Sequence, residues 1–375
     1  MAPVTFFNLF IFIFLLLPLF QSLFSENHFV KAEQIIQRVA QRESGDGDQP
    51  NNISNGRLLA GLAEANANVV VAQDGSGNYR TIQEAVSRAP NYSPGRYLIY
   101  IKAGRYAENV VVDQQKWNLT FAGDGKGRTV LTTNRAGPRF SILTSGALVV
   151  IGDGFLARYM TFENTAGPNP GQAVAMRSYS HRSAFYHCSF LGYQDTLFVH
   201  MNYQFYKECD IVGTIDFIFG DASVVFQDCN ILLRRPLSGQ ANVIIAQGKE
   251  VWNSPSGIVL QNCHIAASEN LGWARSYLAR PWQKYSTAII MQSSIDWLID
   301  PAGFIETPGI IGNGKTSTIR EYANYGPGSN TQNRVKWAGY KVLYNAGDAQ
   351  RYTVAAFING NQWLPSLGVP YKAGL

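Results

Sequence analysis

Short apolar segments recur along most of this chain, separated by Gly, Asn and Asp. Regularity begins at 69–72 (VVVA), a run typical of a β-strand. One stretch, 81–89, has a helical pattern instead, with Thr81 placed to cap it, Glu84 three residues later and Pro90 at its end. Strand-like segments then continue to the C-terminus. The pattern predicts an all-β protein with a short N-terminal helix.

Four of these segments form an internal repeat, in which an aromatic or aliphatic residue precedes a cysteine and an apolar residue follows it. They are 185–190 (FYHCSF), 205–211 (FYKECDI), 226–231 (FQDCNI) and 260–265 (LQNCHI). The cysteines are 21, 20 and 34 residues apart. A period near 20 with strand-like segments predicts a solenoid, here a parallel β-helix with one repeat per coil. The longest interval predicts one coil with an added loop of about 14 residues.

The same period places two aspartates together. Asp195 and Asp216 are 21 residues apart, and Gln172 precedes Gln194 by 22, so all four are expected on one face of adjacent coils. Two carboxylates about 5 Å apart repel by about 3 kcal/mol at an effective dielectric of about 20, or about two pKa units. One carboxyl therefore keeps its proton while the other ionises, which provides a general acid and a nucleophile. Arg280 is the candidate cation that keeps Asp216 charged among apolar neighbours.

The cysteines leave two interpretations open. Equivalent positions on adjacent coils are about 4.8 Å apart, which a disulfide can span. Cys209 and Cys229 are therefore candidates for a bridge, and the alternative is a ladder of buried thiols. Cys188 and Cys263 are expected to be buried and free. No two cysteines are close in sequence, so no metal site is predicted.

The N-terminal segments differ in composition from the rest. Residues 1–25 are almost wholly apolar, which predicts a signal peptide, or an uncleaved signal anchor because the run nears bilayer length. Residues 26–59 predict a short pro-segment or linker, with a candidate processing site near Leu59. Residues 60–375 are expected to form the catalytic β-helix domain.

If the protein is exported, the three sequons at Asn52, Asn91 and Asn118 are candidate glycosylation sites. The formal net charge is +5 and the sequence pI is about 8.9, which indicates either a solvated basic surface or affinity for a polyanion. Nucleic acid is not expected as a partner, because no run of Lys and Arg stands out.

The ordered motifs resemble those of plant pectin methylesterases, the pectinesterase family. They are 104–109 (GRYAEN), 172–177 (QAVAMR), 194–197 (QDTL), 216–220 (DFIFG) and 278–282 (LARPW). The resemblance implies a right-handed parallel β-helix that demethylates homogalacturonan (pectin) to pectate and methanol, with no metal or cofactor. It also implies a monomer secreted to the cell wall or apoplast, with a proteinaceous pectinesterase inhibitor as a candidate partner.

The resemblance also implies individual roles. Asp216 resembles the nucleophile, and Asp195 resembles the acid that protonates departing methanol and then the base that activates water. Gln172 and Gln194 resemble the donors that stabilise the oxyanion, with Gln172 also contacting substrate. Arg280 would orient Asp216 and contact substrate.

Trp282 would offer an apolar face to a sugar ring, and the Cys209–Cys229 bridge is the pairing that the resemblance favours. Ala279 stands where the family usually has glycine, and its methyl group could displace Arg280.

Two other functions fit the same features. A different β-helix pectin enzyme, a lyase or polygalacturonase, would share the fold but cleave the chain. A non-catalytic pectin-binding protein would keep the same residues without turnover. A Ser-His-Asp esterase is not favoured, because no Gly-x-Ser-x-Gly motif occurs.

Overall fold

A computed structural model describes residues 63–375. The predicted signal segment 1–25, the linker 26–59 and the sequon at Asn52 lie outside these residues. Between residues 63 and 375, no helix is long and apolar enough to cross a membrane.

Three parallel sheets contain all 26 strands of the described chain, and successive coils add one strand to each sheet in turn. Sheet 1 has the order β1 (Val69–Val71), β2 (Tyr97–Ile101), β5 (Leu119–Gly123), β8 (Leu156–Arg158), β11 (Ser183–Tyr186), β14 (Tyr203–Lys207), β17 (Ser223–Gln227), β20 (Gly257–Gln261), β23 (Thr287–Met291), β25 (Thr318–Tyr322) and β26 (Tyr340–Leu343). Sheet 2 contains β3 (Gly104–Ala107), β6 (Thr129–Thr133), β9 (Thr161–Asn164), β12 (Ser189–Leu191), β15 (Asp210–Gly213), β18 (Asn230–Leu233), β21 (His264–Ala267) and β24 (Ser294–Ile295). Sheet 3 contains β4 (Val110–Val112), β7 (Leu148–Val150), β10 (Met176–Ser178), β13 (Leu197–Val199), β16 (Ile215–Gly220), β19 (Asn242–Gln247) and β22 (Ser276–Pro281). The predicted right-handed parallel β-helix is confirmed.

The core is built from equivalent side chains stacked from coil to coil. The rings of Phe185, Tyr206 and Phe226 are stacked, with centroids 4.7 and 4.5 Å apart. All three are fully buried. Ring separation matches the strand spacing of about 4.8 Å, so an aromatic residue at each repeat fills the interior without a gap.

The longest interval of the repeat differs in detail from its prediction. The added residues are divided between two loops, 234–241 and 248–256, which lie on either side of β19. A spacing between cysteines fixes only the length of the insertion. It does not show at which turn of the coil the extra residues leave the sheet.

The four cysteines are all buried and are free thiols in this structure. This confirms the expected burial of Cys188 and Cys263. Cys209 and Cys229 lie in adjacent coils, where the amide nitrogen of Cys209 is 3.4 Å from Sγ of Cys229. The structure contains the thiol ladder rather than the predicted bridge, so a Cys209–Cys229 disulfide stays a prediction.

The predicted N-terminal helix is present as α1 (Ile82–Arg88). Thr81 caps it, since its Oγ1 accepts a hydrogen bond from the amide of Glu84 at 3.3 Å. Ile82 and Val86 are buried against the first coils. The helix therefore closes one end of the solenoid.

The prediction of strands up to the C-terminus is wrong for the last 30 or so residues. The helical elements beyond residue 300 are α2 (Asn313–Thr316), α3 (Ala346–Gln350), α4 (Val354–Phe357), α5 (Leu364–Leu367) and the 3₁₀ turns Pro327–Ser329 and Gly360–Gln362. Trp363 and Leu364 pack with Phe205 and Val259 on the outer face of sheet 1. That face is apolar, so covering it removes hydrophobic surface from water.

The two sequons inside the described chain differ in their surroundings. Asn91 is exposed, and its Nδ2 donates to the side chain of Gln115 at 3.0 Å. Asn118 is half-buried, and its Nδ2 donates to the backbone oxygen of Ser93 at 2.9 Å. This geometry favours attachment at Asn91, because a glycan on Asn118 would replace one N–H of an amide that joins two segments.

Candidate active site

Asp195 and Asp216 lie next to each other on the outside of sheet 3. Asp195 is in the turn before β13, and Asp216 is the second residue of β16, which pairs with β13. The amide of Asp195 donates to the oxygen of Ile215 at 2.9 Å. The predicted placement on adjacent coils therefore holds.

A β-bulge presents Asp216 to the outside. The register between β16 and β19 shifts between Ile215 and Ile218, so the strand carries an extra residue there. Phe217 points into the core, while Asp216 has a positive φ of 52°, a conformation that aspartate tolerates better than most residues. Gly213 leaves room for this arrangement, since a Cβ there would lie 2.3 Å from Cβ of Phe217.

Asp195 is held in its protonated form by its surroundings. The residue is 3% exposed. Burial, and next the charge of Asp216, raise the pKa of Asp195 well above its usual value of 3.8, while a hydrogen bond from Gln172 and the charge of Arg280 oppose the rise. Asp195 is therefore the proton-bearing member of the pair.

Asp216 is paired with Arg280, as predicted. One NH2 group of the Arg280 guanidinium donates to Oδ2 of Asp216. Burial raises the pKa of Asp216, and the charge and hydrogen bond of Arg280 oppose that rise. Of the two carboxyls, Asp216 is thus the one that ionises first.

The second oxygen of Asp216 is buried and has no hydrogen-bond partner within residues 63–375. A buried carboxylate oxygen normally has a partner, so an unpaired one beside a second carboxyl is a candidate for a chemical role. Oδ1 is free to attack an electrophile while Oδ2 is fixed by Arg280.

The two glutamines differ in their contacts. Gln172 is exposed and its side chain hydrogen-bonds Asp195. Gln194 is half-buried next to Asp195, and its backbone oxygen accepts from the amide of Ala173 at 3.1 Å. The side chain of Gln172 therefore contacts the carboxyl pair, whereas Gln194 adjoins Asp195 in sequence.

The alanine at position 279 does not disturb the site. Ala279 is 1% exposed and belongs to the interior of the solenoid, where it is aligned with Ile245. Arg280 faces the opposite side of the strand and still reaches Asp216. The added methyl group therefore fills core volume rather than the cleft.

An apolar floor beside the aspartates was not predicted as part of the site. Phe198 and Phe219 are stacked, with centroids 4.4 Å apart and planes at 15°. Val174 and Ala246 extend this cluster on the outer face of sheet 3. The two phenylalanines are 21 residues apart, so the spacing that identified the aspartates could have found them too.

Trp282 lies at the edge of this floor, where a sugar-binding face was expected. It is 38% exposed and meets Phe219 edge to face, with centroids 6.3 Å apart. Gly248 permits this position, because a Cβ there would lie 2.9 Å from the indole ring. An exposed indole beside stacked rings suits a carbohydrate ring.

Residues 68–361 match the protein-family model described as Pectinesterase. Pectinesterase 2 of Citrus sinensis is 49% identical over 314 residues, which cover 82% of this chain and 61% of that protein. Pectinesterase/pectinesterase inhibitor 3 of Arabidopsis thaliana is 49% identical over 324 residues, which cover 85% of this chain and 54% of that protein. The chain thus spans little more than half the length of these relatives.

The chain is also similar to solved structures of pectin methylesterases. The pectin methylesterase from carrot matches with a TM-score of 0.81 and 46% identity, covering 82% of this chain and 98% of that one. The pectin methylesterase from Aspergillus niger matches with a TM-score of 0.68 and 29% identity, covering 79% of this chain and 94% of that one.

Proposed function

The chain belongs to the pectinesterase family, and from that premise we propose that it hydrolyses the methyl esters of homogalacturonan, releasing methanol and pectate. The observation that carries the proposal is the carboxyl pair. Asp195 keeps a proton, and Asp216 has one oxygen fixed by Arg280 and the other unpaired. An acid and a nucleophile are therefore side by side.

In the first half of the reaction, Oδ1 of Asp216 attacks the carbonyl carbon of the ester at C6. The carbonyl π electrons move to its oxygen, which becomes the oxyanion of a tetrahedral intermediate. Collapse of the intermediate breaks the bond to the methoxy group, and Asp195 supplies the proton that lets it leave as methanol. An acyl anhydride on Asp216 and an ionised Asp195 remain.

In the second half, Asp195 acts as a base. It removes a proton from water, whose oxygen attacks the acyl carbon, and the second intermediate collapses to release Asp216 as a carboxylate. The sugar keeps the new carboxyl group, and Asp195 is again protonated. The cycle balances without a metal or cofactor.

Gln172 and Gln194 are proposed to stabilise both intermediates. A neutral amide donor aimed at a developing oxyanion can contribute about 3 kcal/mol. Gln172 is the better placed, because its contact with Asp195 already directs its side chain into the site. Arg280 and Trp282 are proposed to contact the substrate on the other side.

Methanol release from highly methylated pectin by the purified protein tests this proposal. Methanol should appear while the length of the polysaccharide stays constant. Chain scission with new reducing ends would indicate a polygalacturonase, and unsaturated ends would indicate a lyase. Binding of pectin without any product would favour the non-catalytic alternative.

Secretion to the cell wall, a monomeric state and control by a proteinaceous inhibitor complete the proposal. The formal charge of +5 supports a polyanionic partner such as pectate.

A further inference from the structure

The apolar floor of sheet 3 ends at a cationic side chain, Arg177. The aligned residues Arg177, Phe198, Phe219, Ala246 and Arg280 occupy successive strands and form one outward row. Each step along this row is about 4.8 Å. Arg177 therefore lies about 10 Å along the solenoid axis from the strand of Asp216, on the same face.

The guanidinium of Arg177 is held in place by two acceptors. Its Nε donates to Nδ1 of His200 at 3.0 Å, and its Nη1 donates to the backbone oxygen of Leu143 at 3.1 Å. Its carbon lies 5.9 Å from the centroid of Phe198 and 6.0 Å from that of Tyr179. The group is thus oriented without being neutralised.

His200 cannot compete for an anion at ordinary pH. Burial, and next the charge of Arg177, lower the pKa of His200 to about 4. The imidazole is therefore neutral, and its unprotonated Nδ1 serves as an acceptor for Arg177.

Arg177 lacks an anionic partner among residues 63–375. Burial lowers the pKa of Arg177 from its usual value. No carboxylate within residues 63–375 forms an ion pair with it. A half-buried guanidinium normally has a carboxylate to offset its lost hydration, so this one has capacity for an anionic ligand.

We propose that Arg177 binds the free carboxylate of a galacturonate unit a few sugars away from the ester undergoing hydrolysis. This inference rests on the proposed function and names a preference within it: the enzyme would favour esters that have an already demethylated unit on the Arg177 side. Each product carboxylate would then help to position the next ester. Arg177 would act on substrate choice rather than on the reacting atoms.

The test compares two substrates of equal chain length, one fully methyl-esterified and one partly demethylated. Values of kcat/KM for methanol release are measured on both, for the unchanged protein and for Arg177→Gln, Arg177→Lys and the control Arg182→Gln. Arg182 is an exposed arginine in the turn that immediately precedes β11. Melting temperatures of all variants check folding.

The discrimination ratio is kcat/KM on the partly demethylated substrate divided by that on the fully esterified one. It should fall about tenfold in Arg177→Gln through KM, as the loss of one charge-assisted hydrogen bond would give. It should be partly restored in Arg177→Lys and unchanged in Arg182→Gln. An unchanged ratio in Arg177→Gln, or an equal loss on both substrates, would overturn the assignment and leave Arg177 as a structural residue.

A binding measurement separates this inference from the proposed function. Equilibrium binding of polygalacturonate should weaken about tenfold in Arg177→Gln even if the protein released no methanol at all. Equal binding by the two proteins would overturn the carboxylate site. Absence of methanol from both substrates would overturn the proposed function alone.

Discussion

Arg280 and Asp216 form an ion pair across the intervening strand β19, since Arg280 is on β22 and Asp216 is on β16. The bulge in β16 makes this possible, because it turns the aspartate outward beside the row that ends in Arg280. One carboxyl oxygen is thereby fixed and the other is left unpaired. The Asp216 carboxylate is thus oriented by a residue two coils away rather than by its neighbours in sequence.

Asp216→Asn should abolish methanol release while leaving the fold and polygalacturonate binding intact. The amide is nearly the same size but has no nucleophilic oxygen. Turnover is measured with purified protein, and the melting temperature checks the fold. Asp221→Asn is the control, because Asp221 lies just beyond the same strand and bonds Ser256 instead. Activity above a few per cent in Asp216→Asn would remove Asp216 as the nucleophile.

Arg280→Gln should shift the acidic limb of the pH profile to higher pH. The proposed mechanism requires ionised Asp216, so the rate should fall as pH drops through the pKa of that group. Arg280 opposes the rise in this pKa that burial causes, and removing a close cation typically raises it by one unit or more, by order of magnitude. The profile of kcat/KM against pH measures this shift. A lower rate with an unmoved acidic limb would limit Arg280 to substrate binding.

The coil period and the position of the aspartates could be predicted because both depend only on spacing along the chain. A 21-residue interval places two residues on adjacent coils wherever the coil is regular. The cap at Thr81 is likewise a local pattern. These features need no knowledge of what packs against them.

The side on which β16 presents each residue could not be predicted from alternation, because alternation fails at the bulge. Phe217 and Ile218 both enter the core, and only Phe219 turns outward. Strict alternation from Ile218 would give the right side for Phe219 but the wrong one for Phe217. The packing of residues 354–375 on the outer face of sheet 1, here called the C-terminal cover, was also not predicted. Periodicity does not show that an outward apolar face, such as that of Phe205, is covered by a later segment.

Gln227→Leu should lower the melting temperature by a few degrees without changing kcat. Gln227 holds the C-terminal cover, because its Nε2 donates to the oxygen of Lys372 at 2.9 Å and its Oε1 accepts from the amide of Lys372 at 2.7 Å. Leucine would leave the backbone oxygen and amide of Lys372 without these partners, which lowers the free energy of unfolding by about 1–3 kcal/mol. Calorimetry measures the change, with exposed Gln362→Leu as control. Equal melting temperatures for the two variants would contradict a role in holding the cover.

Cys209 and Cys229 should be recovered in one linked peptide after digestion without reduction. Their positions on adjacent coils are at a spacing that a disulfide spans, although both are thiols in this structure. Cys188 and Cys263 should be alkylated in the unfolded protein without prior reduction. Peptide mapping by mass spectrometry distinguishes the cases, and alkylation of all four cysteines would leave the ladder of free thiols as the native state.

Asp195→Asn should raise the melting temperature near neutral pH and leave it almost unchanged at about pH 3. Burial, and next the charge of Asp216, raise the pKa of Asp195 well above its usual value of 3.8. Between that value and the raised one, the folded protein holds a proton that the unfolded chain has released, so the free energy of unfolding falls as pH rises. Asparagine does not ionise, so the variant does not lose unfolding free energy as pH rises. Below a pH of about 3.8, aspartate is neutral in the folded and the unfolded protein, so the two proteins should then be about equally stable. Calorimetry at the two pH values measures the difference, and an equal shift at both would assign the effect to packing instead of ionisation.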